Sequence, residues 1–276
     1  MKSILVATDL SERSDRAMKR AASLAEAYGA KLIVIAVIDE DLPKSMADVQ
    51  AEQARAALLS EFGDRMAAGS VELRVVIGDP LRDIHGVATE TDASLIVLGL
   101  HRSRPFMDMF RETTMERLVR MSDRPVLIVR DLGSGPYSRI LAPIDFSPAS
   151  EAALKAAVSL CPHAKLTLFN SYHVPFKGLR GGELSSAESD AFLRDAQAER
   201  RRWLAGAGLP DSLPEIELID GSIQQVLANK IAQERPDLIA IGAHGRATLA
   251  PGLIGSLTRD LKRDPPCDML IARRRL

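Results

Sequence analysis

The chain has little cysteine, no dominant charge and no long apolar run. Only two cysteines occur, Cys161 and Cys267, each beside a proline, and no Cys-x-x-Cys pair exists. That excludes a disulfide scaffold and agrees with a reducing compartment, so a cytoplasmic location is expected. Net charge is −1, which gives no global pull toward nucleic acid or an anionic membrane. No segment approaches the roughly 20 apolar residues of a membrane span, and the run at Ile4–Ala7 is too short for a signal peptide. No Gly-Lys-Ser or Gly-Lys-Thr is present, which excludes a P-loop. No spacing of Ser, His and Asp suggests a catalytic triad. Cys161-Pro162-His163 lacks the second pair that a zinc site needs, so no metal ligands are assigned.

What remains is ordinary globular material: 46% hydrophobic and 26% charged residues over 276 positions, enough for two cores. The chain also repeats itself. Ile4-Leu5-Val6-Ala7-Thr8-Asp9-Leu10-Ser11 returns as Ile140-Leu141-Ala142-Pro143-Ile144-Asp145-Phe146-Ser147. In both copies an apolar strand ends in Asp, a Ser follows two residues on, and an alanine-rich helix comes next, over 15–28 and 151–160. Second strands (30–37 and 164–171), long polar helices (44–67 and 185–205), third strands (71–77 and 215–219), further helices after Gly78 and Gly221, fourth strands and last strands (125–129 and 269–272) complete each copy. The order βαβαβαβαβ implies an α/β fold, a parallel five-stranded sheet with helices on both faces, twice in tandem. Asp131-Leu132-Gly133-Ser134-Gly135-Pro136 reads as the linker. The expected domains are 1–131 and 138–276.

The most informative stretch lies in the second copy. Leu238 to Ile241 is a short apolar run bounded by turn residues, as in a central parallel strand. Gly242 and Gly245 follow, and Gly255-Ser256 precedes a helical pattern from Leu257. Glycines at a strand end let a backbone come close to a ligand, and helix N-termini offer free N–H groups to anions. Open α/β sheets hold ligands at the carboxyl ends of their strands.

The spacing Gly242-x-x-Gly245-x9-Gly255-Ser256 resembles the ATP-binding signature of the universal stress protein family, and the two copies resemble two such domains across the whole chain. The resemblance implies an adenine nucleotide alpha hydrolase-like, Rossmann-like fold, a stress-response role, and domain pairing along last strands, either within the chain or in a homodimer. It implies ATP as ligand, with Mg²⁺ arriving on the phosphates. It places adenine against the main chain of Ser171, ribose near Gly242, and phosphates at Gly245, Gly255, Ser256 and Leu257, with Pro143, Ile144 and Asp145 at the first strand end also counted in the nucleotide site. His244 and Arg246 flank that loop. Arg246 can pair with a phosphate or remain solvated. Asp145 can accept from a ribose hydroxyl or an adenine amino group, or cap the following helix, a role for which Ser147 competes.

In the first copy the spacing survives but two glycines do not. Gly99 is kept, while Arg102 and Glu112 replace the glycines and Thr113 replaces the serine. Glu112 sets negative charge against a phosphate, so this copy is expected not to bind ATP in the same way. No general base for attacking a γ-phosphate is recognisable, and tight binding of ground-state ATP does not speed hydrolysis. Three readings stand: an ATP-binding regulatory module with no catalytic residues, a slow ATPase, and an interaction scaffold without nucleotide.

Overall fold

A computed structural model describes residues 1–100, 114–130, 135–172, 186–210, 212–244, 257–258, 261 and 264–274, with the backbone alone at 114, 116 and 186–189. The chain divides into two compact units. Residues 1–136 with 267–271 and 275–276 form the first, and 137–266 with 272–274 the second.

In the first unit, β1 (Ser3–Thr8), β2 (Lys31–Asp39), β3 (Val71–Gly78), β4 (Leu95–Gly99) and β5 (Val126–Val129) are parallel, in the order β3-β2-β1-β4-β5. β1, β4 and β5 are apolar and almost wholly buried, as strands covered on both faces must be. The covering helices are α1 (Glu12–Tyr28), α2 (Lys44–Ala67), α3 (Pro80–Glu90) and α4 (Thr114–Met121). Ala17, Met18, Ala21, Leu24 and Ala25 of α1 recur at helical spacing and are buried, leaving a polar outer face. One further strand adds to this sheet. In β10 (Asp268–Ala272), Met269, Leu270 and Ile271 pair antiparallel with Ile128, Leu127 and Val126 of β5.

In the second unit the order is β9-β6-β7-β8, all parallel: β6 (Arg139–Pro143), β7 (Lys165–Tyr172), β8 (Glu217–Asp220) and β9 (Leu238–Gly242). Its helices are α5 (Pro148–Leu160), α6 (Ser186–Gly206) and α7 (Ile223–Glu234). α5 buries Ala149, Ala153, Leu154, Ala157 and Leu160. Helices α1 and α5 both begin earlier than the sequence patterns indicate. Ser11 and Ser147 are extended N-caps whose side chains accept from the N–H groups of Ser14 and Ser150, so the first turn starts directly after each serine. None of the described helices is long and apolar enough to cross a membrane.

Candidate functional site

In the second unit the chain leaves β6 toward β7 and β8 on one side, and places β9 on the other. The carboxyl end of β6 is therefore the point where strand order reverses, the position at which open α/β sheets hold ligands. Pro143, Ile144 and Asp145 stand at that end, Ser171 at the end of neighbouring β7, and Gly242 and His244 at the end of neighbouring β9. Seven of the eleven residues singled out above are thus placed, with Leu257 the seventh. Gly245, Arg246, Gly255 and Ser256 lie outside the described residues.

The strand-end turn is built locally. Ile144 N–H donates to the Phe169 carbonyl at 2.7 Å, one step past the last paired residues of β6 and β7. Phe146 takes a left-handed φ of 60°, which turns the chain from strand into α5. The Asp145 carboxylate accepts from the Ser147 N–H at 3.0 Å, and Ser147 caps α5. Capping thus belongs to Ser147. One oxygen of Asp145 braces the turn in front of it, and the residue is half-buried.

Ser171 behaves differently at its two ends. Its hydroxyl donates to the Gly221 carbonyl at 3.2 Å, which ties it to the turn after β8. In a parallel strand, alternate residues direct their main-chain groups to the same side. Phe169 faces β6, so the N–H and C=O of Ser171 face the same way, beyond the end of β6. A planar base seated there would meet a main-chain donor and acceptor together.

Gly242 has a packing cause. A Cβ on it would come within 2.9 Å of the Ala149 carbonyl carbon and of the Ser150 nitrogen. Its carbonyl accepts from the buried Thr258 hydroxyl at 3.0 Å, which anchors the helical residues Leu257 and Thr258 beside the end of β9. Leu257 and His244 are both half-buried.

The first unit repeats this arrangement in part. Asp9 accepts from the Ser11 N–H at 3.0 Å, and a Cβ on Gly99 would meet the Arg13 carbonyl oxygen at 2.8 Å. Partial desolvation pushes the Asp9 carboxyl up. Hydrogen bonds from Ser11 and Ser14 outweigh it and leave Asp9 below the ordinary range. His101, Arg102, Glu112 and Thr113 lie outside the described residues. Among the described residues no three His, Cys, Asp or Glu side chains group to hold a metal ion.

One residue of the site carried no weight in the sequence. Asn170 of β7 donates Nδ2–H to the Ile144 carbonyl at 2.7 Å. Its signal was a carboxamide directly after the apolar pair Leu168-Phe169.

Known proteins bear on the chain as a whole. The model of the universal stress protein family matches twice, over residues 1–130 and 136–273. A Staphylococcus aureus protein named for that family is 28% identical over 144 residues, half of this chain and 84% of the relative. Among solved structures, a universal stress protein from Archaeoglobus fulgidus superposes with a TM-score of 0.68 at 18% identity, covering 99% of this chain and 98% of its own. A Pseudomonas aeruginosa structure bearing the family's name gives 0.66 at 19% identity, over 99% and 93%. At such identities the structural likeness shows the fold. The two matched segments take in nearly every residue, and the chain belongs to the universal stress protein family.

Proposed function

We propose that the chain is a nucleotide-binding regulatory module that takes one ATP in its second repeat. The observation that carries this reading is the convergence at the end of β6: the Asp145 carboxylate, the main chain of Ser171 past the last paired residues, and the Gly242 strand end anchored by Thr258. Acceptors and one paired N–H/C=O suit an adenine nucleoside, whose amino group and ribose hydroxyls donate. The phosphate-binding part rests on the sequence signature Gly245, Gly255, Ser256 and Leu257, with Arg246 and His244 beside it and Mg²⁺ carried on the phosphates. The first repeat, 1–131, keeps the Asp9 turn and Gly99 but lacks the signature, and serves as a partner domain for 138–276. No residue is assigned to catalysis.

The test is to heat-denature freshly purified protein and identify the released nucleotide. Near one adenine nucleotide per chain is expected, falling in Asp145→Asn, which keeps an oxygen for the Ser147 N–H but lowers the acceptor strength. Mainly ADP, with steady turnover that stops in Ser256→Ala, would favour a slow ATPase. No nucleotide, and no rise in melting temperature when ATP is added back, would leave the scaffold.

A further inference from the structure

The Asn170 carboxamide is fixed by what it touches. Its partner at 2.7 Å is the Ile144 carbonyl, so the NH₂ end must face that oxygen. The Oδ1 end is then an oriented acceptor, and it makes no hydrogen bond among the described residues. Asn170 is half-buried, next to Ser171 on β7 and level with Ile144, which precedes Asp145. The strand end thus presents a second committed acceptor beside the main chain of Ser171. The first repeat has no counterpart: Thr8, the residue before Asp9, is level with Ala36, which has no polar side chain.

We infer that Asn170 determines base specificity at this site, its Oδ1 accepting from the exocyclic amino group of a 6-aminopurine and disfavouring a 6-oxopurine. The inference rests on the nucleotide reading above and adds the residue that chooses the base. An acceptor opposite an amino group gains a hydrogen bond; the same acceptor opposite a keto oxygen leaves two acceptors facing each other after water has been expelled. Through its Nδ2 the same side chain holds the Ile144–Asp145 turn in place.

Nucleotide-free protein is titrated with ATP and with inosine triphosphate, which carries a keto group at position 6. The wild type is expected to bind ATP at least about tenfold more tightly. In Asn170→Ala the ratio should fall at least about threefold, mainly through weaker ATP binding, with the remaining preference left to the main chain of Ser171. A merely structural role would weaken both ligands alike and leave the ratio intact, and that result overturns the inference. Asn170→Asp loses the donor to the Ile144 carbonyl that orients the acceptor, and its ratio should fall as in the alanine variant. Should either variant fail to fold, the wild-type ratio decides: no discrimination between the two triphosphates sinks the inference while the nucleotide reading stands. Binding of neither sinks both.

Discussion

At the scale of single residues, Gly242 and Gly99 are fixed by a distance. Each sits at the end of a central strand directly under the first turn of the helix that follows the other central strand, and a single methyl group at either would press on helix backbone. Backbone cannot rotate away as a long side chain can. Gly242→Ala is therefore expected to lose about 1–3 kcal/mol in urea unfolding, and to loosen the Thr258 anchor on the Gly242 carbonyl. A variant as stable as wild type would show that α5 can move off β9 without cost. The glycine itself was legible in the sequence, but its cause was not. From one sequence Gly242 reads as room for a ligand, because the approach of strand to helix depends on two elements more than ninety residues apart. Asp145 was legible for a better reason: the spacing Asp-x-Ser is local, and the turn it makes repeats at Asp9. Asn170 was not legible, since its meaning depends on the register that sets it level with Ile144.

At the scale of elements, β2, β3 and α3 carry a charged network on the outer part of the first unit. Glu72 pairs with Lys31 and Arg74, and Arg74 pairs in turn with Glu90. The Lys31 bond above all, with Arg74 behind it, holds the Glu72 carboxyl below its ordinary 4.5 against the upward pull of burial. A carboxylate depressed in the folded state stabilises above its unfolded pKa and loses that contribution as pH falls through the folded one. Wild-type stability should thus drop below about pH 4.5 more steeply than that of Glu72→Gln, measured by denaturant unfolding between about pH 6 and pH 3. Parallel slopes for the two proteins would remove Glu72 from the acid limb. Elements were the most legible level of the structure. The alternation of buried strands with amphipathic helices marks both repeats, and α2 spans the same Lys44–Ala67 that its pattern indicates. Boundaries moved where a hydrogen bond outranked a pattern: α1 and α5 start at Glu12 and Pro148 because of their serine caps, and β8 runs Glu217–Asp220, pairing with Phe169 to Tyr172.

At the scale of the molecule, the feature that orders the chain is β10. Asp268 is 2% exposed and faces Arg20 of α1, itself 5% exposed, with Nε and Oδ2 at 3.4 Å; its other oxygen accepts from the Arg130 N–H at 2.8 Å. Removing one member of a buried pair strands the other, so Asp268→Ala should cost about 3–5 kcal/mol, read as a fall in the urea midpoint, with Arg20→Ala costing a similar amount. A loss under about 1 kcal/mol would mean water reaches the pair. The family resemblance implied pairing along last strands, within the chain or in a homodimer, and the β10–β5 ladder is the within-chain form. The Asp268–Arg20 contact was not legible, because neither residue differs in pattern from an exposed charge. Its place has a consequence for how the protein is made. A ribosome finishes residues 1–136 and then makes residues 137–266 of the second unit before it reaches Met269, 138 positions separating Arg130 from its partner Asp268. Until then the nascent first unit waits with the Val126–Ile128 edge of β5 unpaired, an apolar template open to any other strand nearby. The half of the protein that is born first is completed by a strand made more than a hundred residues later.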